Sequence, residues 1–244
     1  MRILSVMFLV VALGVAASAA GPAMEKDRFD TTAGPLTITF IGHGTLLLEL
    51  GNLRIHVDPY GKLADYTALP DADLILITHH HGDHLDPAAI AEIRTPQTAV
   101  ITTARCADRL ECVTVMANGD TRMLKGVLVQ AVPAYNIEHK RPNGDPFHPQ
   151  GEGNGYVLTF GDTRVYIAGD TESIPEMDRL AGVDIAFLPV NLPYTMTLEM
   201  AADAARRIQP KVLYPYHFGD TDIAKLPPLL ADVPGVEVRL RRMP

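Results

Sequence analysis

No stretch of this 244-residue chain concentrates lysine or arginine, and the overall balance is acidic, with 21 Lys+Arg against 29 Asp+Glu and a formal charge of −8. Holding a nucleic-acid backbone requires the opposite sign, so nucleic acid is not expected as a partner. Cysteine is nearly absent: Cys106 and Cys112 are the only two. Neither has a histidine partner close in sequence, which argues against a cysteine nucleophile. Six residues apart, they are either a disulfide of an exported protein or two separate buried thiols. A Ser/His/Asp nucleophile signature is also missing. Long apolar runs are confined to the beginning, where Arg2 precedes an apolar stretch over 3–15 and Ala17-Ser18-Ala19 gives a small-x-small pattern. This reads as a signal peptide over 1–20, cut near Ala19 or Ala20, and predicts a periplasmic or secreted protein. An uncleaved anchor is the alternative. With no cysteine near the cut, a lipid anchor is unsupported, and no membrane span is expected once the signal is removed.

What remains, 47% hydrophobic overall, suffices for one sizeable core and leaves no room for a second full domain. The expected division is a polar linker over 21–35 and a single domain over 36–244. Its densest chemistry is Thr78-His79-His80-His81-Gly82-Asp83-His84, directly after the apolar run Leu74-Ile75-Leu76-Ile77. Imidazole nitrogens and a carboxylate at the end of a buried strand are a metal-holding pattern, with Gly82 expected to turn the backbone so that neighbouring side chains converge.

Strands and helices alternate along the chain. Leu36 to Ile41 alternates as a strand does, and a hairpin turning at Gly51-Asn52 ends in Asp58-Pro59. A similar hairpin turning at Gly161-Asp162 ends in Gly169-Asp170, with Gly51 and Arg54 in register with Gly161 and Arg164. Two related halves are implied. Asp86-Pro87 opens a helix, Ser173 and Glu176 form a capping box, and Thr197 caps a helix bearing Met200, Ala204, Ala205 and Ile208 on one face. Residues 98–102, 127–132, 183–190 and 211–216 read as strands. Pro142 to Gly155, rich in Pro, Gly and Asn, reads as a functional loop. The alternation predicts an α/β sandwich of mixed sheets between helical layers. His79 to His84, Asn136, Asp170 and His217 all follow apolar strands, so one sheet edge would collect them.

His79-x-His81-x-Asp83-His84, then Gly169-Asp170-Thr171 and the strand-end His217, resemble the metallo-β-lactamase superfamily, as do Ile41-Gly42-His43-Gly44 and Val57-Asp58-Pro59. Pro133-Ala134-Tyr135-Asn136 and Leu213-Tyr214-Pro215-Tyr216-His217 look like its branch of ascorbate-phosphate lactonase-like proteins and the phospholipase D acting on N-acyl-phosphatidylethanolamine. The resemblance implies a four-layer αβ/βα sandwich of two mixed sheets flanked by helices. It also implies a hydrolase acting on an ester, lactone or phosphodiester of a small molecule. By the same carry-over, His79 and His81 hold a first metal, Asp83, His84 and His217 a second, and Asp170 bridges them. Relatives place a third histidine of the first site where Asn136 stands here. His148 is favoured over His139 to replace it, because its Pro/Gly-rich loop can fold back over the site. Two Zn²⁺ follow, one if neither histidine reaches, and iron or manganese suits the same donors. Asp83 orients the attacking water and His43 bonds ligand or substrate at the edge. His80 alternates away from the site, His56 is structural, and Asp58 accepts the free N–H of a ligand histidine. Tyr194, Thr195 and Met196 either line the pocket or simply form a loop. An iron-dependent redox protein and a non-catalytic exported binding protein are the competing readings.

Overall fold

Period-two alternation of apolar side chains builds two facing sheets, each buried on both sides. The computed structural model describes residues 24–243, so the expected signal peptide lies outside the described residues. The first sheet takes its strands in chain order: β1 (Glu25–Thr31), β2 (Gly34–Gly42), β3 (Thr45–Leu50), β4 (Leu53–Val57), β5 (Ala72–Leu76), β6 (Arg94–Thr102) and β7 (Thr114–Val115). The second does the same with β8 (Thr121–Leu124), β9 (Val127–Ala134), β10 (Gly153–Phe160), β11 (Thr163–Ile167), β12 (Ile185–Pro189), β13 (Val212–Tyr216) and β14 (Glu237–Val238). In both, the first four strands pair antiparallel and the last four parallel.

The two halves therefore repeat strand for strand. Their hairpins even share a lock: the backbone N–H of Arg54 donates to Asp73 at 2.9 Å, and that of Arg164 to Asp184 at 2.7 Å.

Layering follows from which face each residue takes. On β5, Leu74 and Leu76 enter the core between the sheets, with Phe40, Leu46, Tyr156, Phe187 and Tyr214. Ile75 and Ile77 point the other way, under Ala89, Ile90 and Ile93 of α1 (Pro87–Ile93). On the far side, Ala186, Leu188 and Leu213 meet Ala201, Ala204, Ala205 and Ile208 of α2 (Leu198–Ile208). The result is a four-layer αβ/βα sandwich, as expected. Asp86 caps α1 and Thr197 caps α2, each accepting from backbone N–H. Met200 is only partly buried against the α2 core.

Several expectations are corrected. The linker assigned to 21–35 contains β1, an edge strand paired along its whole length with β2. Its charges lie outward or pair with the distant chain end, which hides the alternation. The loop expected over 142–155 ends earlier, since Gly153 to Gly155 already pair with β9. Ser173 and Glu176 do not form a capping box; Ser173 bonds Asp203 at 2.8 Å and Glu176 accepts from the Tyr135 hydroxyl at 3.0 Å. Cys106 is buried, Cys112 is exposed and both are free thiols, so the disulfide alternative falls.

Candidate metal centre

The donors gather where strands end at one edge of the sandwich. Beyond β5 lie Thr78, His79, His81, Asp83 and His84; beyond β11, Asp170; beyond β13, His217. The turn from β2 to β3 carries His43, and the segment after β9 carries Asn136 and then His148. Ring nitrogens and carboxylate oxygens form two groups: His79, His81, His148 and Asp170 in one, and His43, Asp83, His84 and His217 in the other. His148, not His139, joins the first. His139 turns its Nδ1 to Glu172 at 2.8 Å instead.

Local backbone geometry explains the convergence. His43, Asp58 and His217 take left-handed φ values of 51°, 45° and 46°, a conformation that non-glycine residues adopt at a cost. The turn assigned to Gly82 is made differently. Gly82 has no left-handed φ, and the chain is turned by N–H bonds from His84 and Leu85 to the His81 carbonyl, at 3.1 and 2.8 Å. The glycine that matters is Gly44, where a Cβ would lie 2.8 Å from Cε1 of His84.

Outer hydrogen bonds fix which nitrogen of each ring faces inward. Asp58 accepts from Nδ1 of His84 at 2.8 Å, and from the Thr78 amide and hydroxyl at 2.8 and 2.6 Å. With its own hydrogen given to Asp58, the Thr78 hydroxyl accepts from Nδ1 of His79 at 3.0 Å. Asn136 Oδ1 accepts from Nδ1 of His148 at 2.7 Å, while its amide donates to Glu172 and to the Tyr194 carbonyl. The side-chain amide of Asn191 stands 3.3 Å from Nδ1 of His217. Turned with its oxygen inward, it accepts that N–H as well.

The inner nitrogens of His79, His84, His148 and His217 are thereby the ones left for a cation, and with Nδ1 of His81 they face one another. Nδ1 of His81 lies 3.0 Å from Nε2 of His79 and 3.2 Å from Nε2 of His148. Nε2 of His84 lies 3.1 Å from Nε2 of His217. Asp170 sits between the groups, its Oδ2 3.3 Å from His148 and 3.5 Å from His217, its Oδ1 3.5 Å from His84. That buried Oδ1 has no hydrogen-bond partner. A tetrahedron of 2.0–2.1 Å metal–nitrogen bonds sets donors about 3.3 Å apart, so the arrangement suits two cations sharing Asp170.

Electrostatics separate the rings. Burial and the neighbouring His84 push His79 well below the ordinary histidine value, and burial with His148 brings His81 to about 4, so both rings are neutral and able to ligate. Burial also disfavours a charged His84, but the carboxylates of Asp170, Asp58 and Asp83 outweigh it and hold that ring at about 9, so its Nε2 keeps a proton that a cation would have to displace. Asp170 stays ionised despite burial because His217 and His84 flank it. Burial raises the Asp83 carboxyl, but His217 and His43 beside it outweigh that and hold it low. Nε2 of His43 meets Asp83 Oδ2 at 3.0 Å. His80 belongs to neither group, and His56 is buried with Nε2 on the Pro70 carbonyl. Tyr194 lines the cavity over the site, while Thr195 and Met196 are fully buried beneath it.

Sequence reasoning missed Thr78, Asn136 as a support, Asn191 and Glu172. Thr78 is set by Asp58 twenty residues before it, and Asn136, Asn191 and Glu172 act on partners 12 to 36 residues away, so no local pattern marks them.

Residues 37–217 match the beta-lactamase superfamily domain. A UPF0173 metal-dependent hydrolase of Methanopyrus kandleri is 31% identical over 195 residues, 75% of this chain and 84% of that protein. A crystal structure from Parabacteroides distasonis is 50% identical, with a TM-score of 0.87 over 91% of this chain and 100% of its own. The metallo hydrolase Igni18 of Ignicoccus hospitalis, at 23% identity and a TM-score of 0.70 over 85% of this chain and 95% of its own, shares the fold.

Proposed function

Because this chain belongs to the beta-lactamase superfamily, among the UPF0173 metal-dependent hydrolases, we propose that it uses two Zn²⁺ to hydrolyse an ester, lactone or phosphodiester of a small molecule. The observation that carries this is the set of convergent ring nitrogens around the orphaned Asp170 oxygen. His79, His81 and His148 would hold one ion, His84, His217 and Asp83 the other, with Asp170 between them. Bound metal supplies water acidified into the neutral range and polarises the acceptor oxygen.

The chain's own residues do the rest. Asp83, 38% exposed, is ionised and faces the cavity, placed to orient the nucleophile. His43, bonded to Asp83, fixes that carboxylate. The cavity over the two groups, about 550 Å³, has the volume for a small substrate.

Purified protein would be analysed for bound elements and screened, metal-loaded, against lactones, phosphodiesters, thioesters and β-lactams. Metal-dependent turnover that Asp83→Ala abolishes is expected. Metal-replete protein inert on the whole panel would overturn the reading, and tightly bound iron with a visible absorption band would favour redox chemistry instead. We also infer export from the apolar character of residues 1–20, checked by N-terminal sequencing of the mature protein.

A further inference from the structure

The cavity over the paired donor groups is lined on one side by His81, Asp83, His148, Asp170 and His217, and on the other by Arg141, Phe147 and Tyr194. Arg141 is the one lysine or arginine among the lining residues. Unlike Arg105, Arg206, Arg207, Arg239, Arg241 and Arg242, it has no carboxylate within ion-pair distance among the described residues. Its guanidinium lies over the Phe147 ring, 5.0 Å from the centroid, and one of its nitrogens donates a long bond of 3.4 Å to the Phe147 carbonyl. Arg141 is exposed, and among the described residues that bond is its side chain's only hydrogen bond to protein, which leaves most of its five N–H donors available.

The segment carrying it is held in place. Arg141 N–H donates to the Asp145 carbonyl at 2.7 Å, Gly144 N–H donates back to the Arg141 carbonyl at 2.9 Å, and Lys140 pairs with Pro146. Below this tight turn, Glu172 accepts the N–H groups of Ile137, Glu138 and His139 at 2.7–2.8 Å. At the other end His148 is bonded to Asn136 through both backbone and ring. One anchored segment thus presents a cation and a metal-ligand candidate to the same cavity. Phe147 meets the Tyr194 ring edge-on at 5.1 Å and extends the aromatic wall.

We propose that Arg141 is the specificity-determining residue of this cavity, binding a carboxylate or phosphate group of the substrate while Phe147 and Tyr194 take its apolar body. This rests on the hydrolytic reading above. A planar guanidinium matches a carboxylate or phosphate bidentately. Opposite Asp83 and Asp170, a guanidinium gives an anionic group of the substrate a partner away from the metal ions.

The test uses full-length, metal-loaded protein and pairs of esters or lactones that differ only in a carboxylate or phosphate against a neutral amide or hydroxyl. Wild type should prefer the charged member. Arg141→Gln should raise KM for that member about tenfold or more, with kcat and the neutral member's kcat/KM within about twofold, and Arg141→Lys should recover part of the loss. Equal losses on both members, or none on either, would overturn the proposal. Should wild type hydrolyse no pair, the hydrolytic reading fails, and the anion claim is decided separately by calorimetry with 3-phenylpropionate and its amide. Tighter binding of the carboxylate that disappears in Arg141→Gln supports it. A preference that persists in the variant belongs to the metal alone and overturns it.

Discussion

Asp58 decides whether His84 can serve as a ligand at all. Its Oδ2 takes the Nδ1 hydrogen of His84, which leaves Nε2 as the nitrogen that can meet a cation. In Asp58→Asn, one of the two oxygens becomes an NH₂ donor. The amide oxygen can still accept from the Thr78 N–H, but the NH₂ then faces His84 and favours the tautomer whose hydrogen points into the metal site. Metal affinity should fall about 10–100-fold with the fold retained. Competition with a chelating dye, alongside circular dichroism, measures this, and an unchanged affinity would show that Asp58 does not set the tautomer. Gly44→Ala acts by steric push rather than by protonation, because the new Cβ would stand 2.8 Å from His84 Cε1. Elemental analysis should show bound metal falling towards one ion per chain, with the His79 group still filled. At this scale the sequence was partly legible. The donors announce themselves by residue type and by following apolar strands, and Asp58 does so by its place at a hairpin's outgoing end. Asn136 illustrates the opposite case: by type it looks like a missing histidine, whereas it positions the histidine that arrives twelve residues later.

Among the elements, β1 is where local pattern and structure part company. Its sequence, EKDRFDT, alternates between half-buried and exposed rather than between apolar and polar. The reason is that its inward charge has a partner no local reading can find. Asp27 accepts from Nη2 of Arg241 at both carboxylate oxygens, from its Nε at one of them, and from the Tyr214 hydroxyl, joining the first strand to the chain's far end. Burial raises the Asp27 carboxyl, and the bonds from Arg241 and Tyr214 outweigh it, leaving it below the ordinary 3.8. A depressed folded value means the stabilisation is complete above the unfolded value and is lost as pH falls through the folded one. Asp27→Asn should therefore cost about 1–3 kcal/mol in urea unfolding at pH 7, and the gap to wild type should narrow at pH 3. A gap of equal size at both pH values would mean that the carboxylate charge is not what holds β1. The interior strands were legible because both of their faces are buried and their apolar runs are bounded by turns. The pairing of β1 was not, because an edge strand needs only one favourable face and here meets it with charge.

Across the whole molecule, the metal centre is a joint between the repeated halves. His79, His81, Asp83 and His84 come from the first sheet, and His148, Asp170 and His217 from the second, so neither half completes either group of donors. Without a cation, the inner nitrogens of His81 and His148 face and repel each other 3.2 Å apart across that joint. Bound metal removes the repulsion and cross-links the sheets at their shared edge. Free metal at 100 times its dissociation constant stabilises a folded protein by about 2.7 kcal/mol. For a domain of this size each kcal/mol moves Tm by roughly 2–4 °C, so chelation should lower Tm by about 5–10 °C. His148→Ala should already have lost most of that chelator-sensitive increment, because it removes a donor from the second sheet while leaving the cluster on the first intact. Hydrogen exchange on stripping the metal should rise together in residues 78–85 and 168–172, which belong to opposite sheets. Exchange that rises on one side alone, or a Tm unmoved after metal removal is verified by elemental analysis, would show that the core between the sheets holds this edge without help.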